Sequence, residues 1–144
     1  MGISEEERWG YISALDEDLL KGGVILSEWC ASIVREADTA FAKGAFLASI
    51  LTSVSGIETY LRSEYSKNSK ENLFKLIDES PIDNILKAEL HELRKYRNKW
   101  VHVDEPWIDE ALLQSPEVYE QELSETAYKA VKLLRKTIYE NQWV

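Results

Sequence analysis

Apolar side chains recur along this chain at the spacing of an α-helix, three and four residues apart. The second predicted helix, from Val24 to about Lys43, has one apolar face of this kind. Its members are Ile25, Trp29, Ile33, Ala37 and Phe41. Gly44 follows as a left-handed helix stop. Because no stretch shows sustained alternation rich in β-branched residues, the sequence predicts an all-α protein.

Capping residues and prolines divide the pattern into successive helices. Ser4, followed by three glutamates, predicts the first helix, and Ser80-Pro81 and Ser115-Pro116 predict two later starts. The predicted helices cover residues 4–20, 24–43, 45–65, 73–79, 81–103 and 116–141.

The length and composition of the chain fit a single domain. Its 144 residues are 44% hydrophobic, which is enough for a core, and the polar loop "SKNSKEN" joins helices rather than domains. We expect one domain over 1–144, an up-and-down bundle of four long helices with one or two short helices. In this bundle residues 1–22 form an N-terminal helix that caps the others.

The charge and cysteine content narrow the classes of function. A net charge of -9 repels nucleic acid over most of the surface, so a polyanion must be met through a local patch and DNA binding is not expected. Cys30 is the only cysteine, which excludes an intramolecular disulfide and makes a small core residue its expected role. With two histidines and no second cysteine, the usual zinc spacings are absent, and we expect neither a metal nor a cofactor.

The N-terminal residues "MGISEEERWG" lack the basic-then-apolar order of a signal peptide, and no apolar run approaches the roughly 20 residues that span a bilayer. We therefore expect a cytoplasmic protein without a membrane partner.

One segment, "LRKYRNKWVHV", concentrates positive charge in this acidic chain. Its polar members are Arg94, Lys95, Arg97, Asn98, Lys99 and His102. At about 100° per residue, Arg97 falls in the apolar stripe of its helix with Leu93 and Trp100. A guanidinium there is costly to desolvate unless it is paired or a cleft interrupts the core. Glu58, in the most apolar helix, is the candidate partner of Arg97; the alternative is that Glu58 points to solvent.

Arg97 and His102 lie five residues apart, which is about 140° around an ideal helix. Their side chains can meet one atom only if the helix unwinds before His102 or if two protein copies share a cleft. By spacing alone, the polar face with His91, Lys95, Asn98 and His102 also fits an ordinary solvated helix face.

Arg97-Asn98, three further residues and then His102 form an RNxxxH string. It ends a long amphipathic helix, after the apolar helix "ASILTSVSGIETYLRSEY" and before the final helix "AYKAVKLLRKTIYENQW". This arrangement, over about residues 24–143, resembles the HEPN superfamily, whose signature is an arginine and a histidine with four to six residues between them. It is most similar to the free-standing, single-domain members.

The resemblance implies a metal-independent endoribonuclease, often a toxin or a defence factor, that acts as a homodimer with its two motifs opposed across a two-fold axis. RNA would be the substrate, and an antitoxin or regulatory protein a further partner. His102 would act in general acid/base catalysis, and Arg97 would stabilise charge on the phosphoryl oxygens. Asn98 would bind the phosphate or orient His102.

The same resemblance gives three further cations a part in RNA binding. They are Arg94, Lys95 and Lys99.

Many HEPN toxins that pair with a nucleotidyltransferase antitoxin carry a tyrosine two residues after the histidine, and Asp104 stands in that place here. Silencing by nucleotide transfer is therefore not expected.

The alternative is a non-catalytic module of the same superfamily that binds a nucleotide, an RNA or a protein. Its support is the N-terminal apolar stripe of Trp9, Ile12, Leu15 and Leu19, which could cap the bundle or dock on a partner. Metal-dependent hydrolysis is a weaker third hypothesis, because no Glu/His spacing resembles a ligand set.

Overall fold

The computed structural model describes residues 3–66, 68 and 70–143. These residues form seven helices: α1 (Glu5–Leu19), α2 (Glu28–Ala42), α3 (Phe46–Tyr65), α4 (Leu73–Glu79), α5 (Asn84–Val101), α6 (Glu110–Gln114) and α7 (Pro116–Ile138). The described residues contain no β-strand, and the all-α prediction is confirmed. Lys67 and Ser69 of the predicted polar loop, and Met1 and Gly2 of the predicted N-terminal segment, lie outside them.

The centre of the bundle is α3, which packs against both α2 and α7. Small residues on α3 allow this close approach, since Ser49, Ser53 and Gly56 are all buried. Ser49 donates a hydrogen bond to the carbonyl oxygen of Ala37 on α2 at 2.9 Å. The largest fully buried side chains around them include Phe41, Ile50, Ile57, Leu61, Leu90, Leu134 and Ile138.

Helix α1 lies against α2 and α7 and buries Ile12 and Leu15. Its first turn is capped as the sequence predicts, since the Ser4 hydroxyl accepts a hydrogen bond from the backbone N–H of Glu7 at 3.1 Å. At 15 residues α1 is as long as α2, so the bundle has five long helices rather than four.

The predicted start of α2 is wrong. The helix begins at Glu28, because Ser27 is its N-cap and accepts a hydrogen bond from the N–H of Cys30 at 3.1 Å. Of the predicted buried face, Ala37 and Phe41 are buried, but Ile25 and Trp29 are 69% and 79% exposed. The apolar pattern therefore extends beyond the part of α2 that the core covers.

Of the two later helix starts that the sequence predicts, one is confirmed and one is wrong. Helix α7 begins at Pro116 as predicted, whereas α5 begins at Asn84 and not at Pro81. Asp83 caps α5, and its carboxylate accepts hydrogen bonds from the N–H groups of Ile85 and Leu86, each at 3.1 Å. The short helix α4 packs against α5.

Candidate functional site

The candidate site lies where α5 ends. Leu86, Leu90 and Leu93 are buried and fix the helix on the core. Helical geometry stops at Val101, and His102 takes φ -125° and ψ 68° while its N–H donates to the carbonyl oxygen of Asn98 at 2.9 Å. The helix therefore unwinds at His102, which is one of the two alternatives that the sequence leaves open.

Arg97 lies on the apolar face of α5, at the point along the helix where the core no longer buries that face. Leu93 is buried one turn earlier, but Arg97 and Trp100 are only half-buried. The guanidinium therefore keeps part of its hydration, and no acid in the described part of the chain forms an ion pair with it.

The predicted pairing of Arg97 with Glu58 is wrong. Glu58 instead pairs with Arg62, one turn further along α3, with Oε2 and Nη1 3.0 Å apart. A neighbour four residues away on the same helix is always within reach of this carboxylate. Arg97 lies on α5, where its side chain is hydrogen-bonded to Asn98.

Asn98 is the polar partner of Arg97. The Nε–H of Arg97 donates to Oδ1 of Asn98 at 3.0 Å. The carbonyl oxygen of Asn98 also accepts a hydrogen bond from the N–H of His102. Asn98 is therefore hydrogen-bonded to both Arg97 and His102. Asn98 thus orients the arginine side chain directly and holds only the backbone of the histidine.

The imidazole of His102 is exposed, and among the described residues no hydrogen bond joins it to Arg97. A groove of about 430 Å³ between α5 and α7, lined by Tyr96, Lys129 and Lys132 among others, contains neither Arg97 nor His102. A single protomer therefore places the two motif side chains at the same end of α5 without enclosing them.

Two of the three predicted RNA-binding cations, Lys99 and Lys95, have different surroundings. Lys99 binds Glu122, with Nζ and Oε1 3.0 Å apart, and lies 5.4 Å from the ring centroids of both Tyr96 and Tyr119. The hydrogen bond to Glu122 raises the pKa of Lys99, and the same contact lowers the pKa of Glu122. Lys95 is exposed and pairs with none of the acids that the structure describes.

The chain beyond the motif carries apolar side chains that no helix covers. Every residue from 101 to 114 is exposed, and α6 buries none of its residues. Trp107, Ile108 and Leu113 are 73%, 67% and 74% exposed. We call residues 101–114 the exposed segment. Its apolar content was visible in "PWIDEALL", but periodicity did not show that this part of the chain would be left uncovered.

Among the described residues, no three His, Cys, Asp or Glu side chains are grouped as metal ligands would be. No described helix is both long and apolar enough to cross a membrane. Comparisons of the chain with protein-family models, with curated proteins and with solved structures found no match.

Proposed function

We propose that this protein is a metal-independent endoribonuclease of the HEPN type that acts as a homodimer. The observation that carries the proposal is the end of α5, where Asn98 bonds both to the Arg97 side chain and to the backbone of an exposed His102. A forked, permanently charged donor can stabilise phosphoryl oxygens, and an exposed imidazole can transfer a proton in the same reaction.

In the proposed reaction the 2′-oxygen of a ribose attacks the adjacent phosphorus, and the bond from phosphorus to the 5′-oxygen breaks. His102 takes part as general base toward the 2′-hydroxyl proton or as general acid toward the leaving 5′-oxygen. Arg97 stabilises the negative charge that grows on the phosphoryl oxygens. The products are a 2′,3′-cyclic phosphate and a free 5′-hydroxyl, and no metal takes part in any step.

A second copy of the chain completes the proposed site. In one protomer Arg97 and His102 are not joined, and the exposed segment beside them presents Trp107 and Leu113 to solvent. Exposed apolar patches of this kind mark interaction surfaces. Packing two such segments about a two-fold axis covers the apolar side chains and brings the two motifs face to face.

The acidic chain restricts where RNA can bind. With a net charge of -9, only a local patch can attract phosphates. Arg94, Lys95 and Arg97 supply one, since none of them pairs with an acid in the described residues. A toxin or defence role, restrained by an antitoxin or regulatory protein, is the biological setting that we propose with this activity.

The test is cleavage of single-stranded RNA in the presence of a metal chelator, with wild-type protein, His102→Ala and Lys43→Ala. Lys43 is the control because it is exposed, pairs with Glu5 and lies outside the proposed site. We expect kcat to be lost in His102→Ala and kept in Lys43→Ala. General acid/base catalysis contributes about 10²–10⁴-fold, which sets the expected size of the loss. Full activity of His102→Ala would remove the proposal.

The dimer is tested by solution mass. Replacing Trp107 and Leu113 together by serine should give a monomer that keeps the helical circular dichroism spectrum and no longer cleaves RNA.

If wild-type protein binds RNA but leaves it intact, the chain is instead a non-catalytic RNA-binding module of the same superfamily.

A further inference from the structure

A second cluster of polar side chains lies on α5, earlier along the helix than the motif. Nε2 of His91 is 2.7 Å from Oδ1 of Asp78, which lies on α4. The ring of His91 also packs against Phe74 of α4, with centroids 4.9 Å apart. The imidazole is thus held between two side chains of the neighbouring helix.

These contacts decide which nitrogen of His91 carries the proton. An ionised carboxylate only accepts hydrogen bonds, so the Nε2–H of His91 donates to Asp78. Nδ1 is then an acceptor, and Nε of Arg94 donates to it at 3.4 Å. Asp78, His91 and Arg94 therefore form a short chain of hydrogen bonds that ends on a guanidinium.

The guanidinium of Arg94 has a second restraint. Its central carbon lies 5.2 Å from the centroid of the Phe74 ring, in a cation–π contact. The outer nitrogens of Arg94 make no hydrogen bond or ion pair with any residue that the structure describes. The side chain is held in place while its bidentate edge remains available for an anion.

Arg94 and Arg97 are three residues apart and are neighbours on the surface of α5. We infer that Arg94 is an anchor for a phosphodiester of bound RNA, displaced along α5 from the scissile linkage at Arg97. Asp78, His91 and Phe74 are positioning residues that hold its guanidinium. This inference rests on the proposed function for the identity of its ligand.

The experiment measures binding of a 2′-O-methyl RNA oligonucleotide, which lacks the nucleophilic hydroxyl and stays intact. We expect Arg94→Ala to weaken binding roughly tenfold, as for the loss of a hydrogen-bonded charge. The slope of log affinity against log salt should fall by about 0.7 for one lost single-strand phosphate contact. Arg94→Lys should keep the slope without restoring the affinity, because lysine has no fork.

Lys95→Ala is the matched control, since it removes an exposed charge next to Arg94 that has no such supports. We expect it to weaken binding by less than about threefold. Binding by Arg94→Ala that is as tight as binding by Lys95→Ala would overturn the inference. So would dependence on Arg94 that is equally strong for adenosine monophosphate, because the anchor would then be a nucleotide site.

The positioning role is tested by a double-mutant cycle. His91→Ala should weaken binding in the wild-type background, with the salt slope unchanged because Arg94 keeps its charge. In the Arg94→Ala background it should have no further effect. Equal losses in both backgrounds would mean that His91 acts on the fold alone, and thermal melting of each variant checks the fold directly.

The inference and the proposed function fail in different ways. Binding that depends on Arg94, with no cleavage of ordinary RNA, would remove the nuclease and leave the anchor. Cleavage that depends on His102, with no dependence of binding on Arg94, would remove the anchor and leave the nuclease. No binding of the oligonucleotide by wild-type protein would remove the anchor.

Discussion

Arg135 and Asp38 form a bidentate ion pair inside the bundle. Nη1 of Arg135 lies 2.8 Å from Oδ1 of Asp38, and Nη2 lies 2.6 Å from Oδ2. The remaining Nε–H donates to Oδ1 of Asp16 at 2.9 Å, and the Tyr139 hydroxyl donates to the same oxygen at 2.7 Å. One guanidinium on α7 thereby links α1 to α2.

Breaking this network should destabilise the protein strongly. Arg135 is 2% exposed, so Asp38→Ala leaves a buried charge without its main partner. Removing one member of a buried pair typically costs about 3–5 kcal/mol. We expect a loss of that size in urea unfolding of Asp38→Ala. Lys43→Ala is the control, because the Lys43–Glu5 pair is exposed, and equal midpoints for the two variants would contradict the expectation.

Two helical glycines should respond in opposite directions to alanine. A Cβ at Gly56 would lie 3.0 Å from Cδ1 of Leu134 and 3.3 Å from Cγ2 of Ile33, whereas at Gly10 it would meet nothing within 4 Å. Alanine gains up to about 1 kcal/mol in helix propensity at either position. Overpacking at position 56 costs about 1–3 kcal/mol.

We therefore expect Gly10→Ala to unfold at higher urea concentration than wild-type protein and Gly56→Ala at lower. A stabilised Gly56→Ala would show that Leu134 can move aside without loss of packing.

The two lysines of the motif segment should differ in their effect on RNA binding. Lys99 is engaged by Glu122 and by two tyrosine rings, while Lys95 has no partner in the described chain. A lysine that must first leave a carboxylate contributes less to phosphate binding. We expect Lys99→Ala to weaken binding of the 2′-O-methyl oligonucleotide less than Lys95→Ala does, and the reverse order would contradict this account.

Stability should fall in alkaline solution because of one buried and one partly buried tyrosine. Burial raises the pKa of Tyr60 and of Tyr139 above the ordinary value of 10.0. As pH rises past that value, the unfolded state releases these protons before the folded state does. The contribution of these groups is therefore complete below about pH 10 and is lost above it.

Urea midpoints measured from neutral to alkaline pH test this expectation. Tyr60→Phe removes one of the two groups and should lessen the alkaline loss. A loss of the same size in wild-type protein and in Tyr60→Phe would mean that Tyr60 does not contribute to it.

The sequence predicted all the helices that the structure describes except the short α6, but several of their ends depend on contacts distant in the chain. Residues before α2 are held by the C-terminus: Gly23 and Trp143 exchange backbone hydrogen bonds at 2.8 Å, and Oε1 of Gln142 accepts from the N–H groups of Lys21 and Gly22. An apolar pattern in the sequence cannot show such contacts. For this reason the predicted helix began at Val24, although α2 begins at Glu28.

In the candidate site, too, the sequence predicted what is local and missed what depends on distant contacts. Helical spacing placed Arg97, Asn98 and His102 near one end of α5, because these residues are close together in the sequence. The predicted Glu58 pair failed because spacing does not give the relative position of two helices. The Arg135–Asp38 pair was missed for that reason, although an aspartate beside Ala37, on the face that also holds Phe41, was its visible signal.

Subunit mixing tests the central claim, that paired copies contribute the arginine and the histidine of one active site. Arg97→Ala and His102→Ala proteins are each assayed on RNA with a chelator present, then mixed, allowed to exchange subunits and assayed again. A heterodimer has one site with both side chains and one with neither. The account predicts that each variant is inactive alone and that the mixture regains part of the wild-type activity. A mixture as inactive as its components, under conditions in which wild-type protein cleaves and heterodimers form, would contradict it.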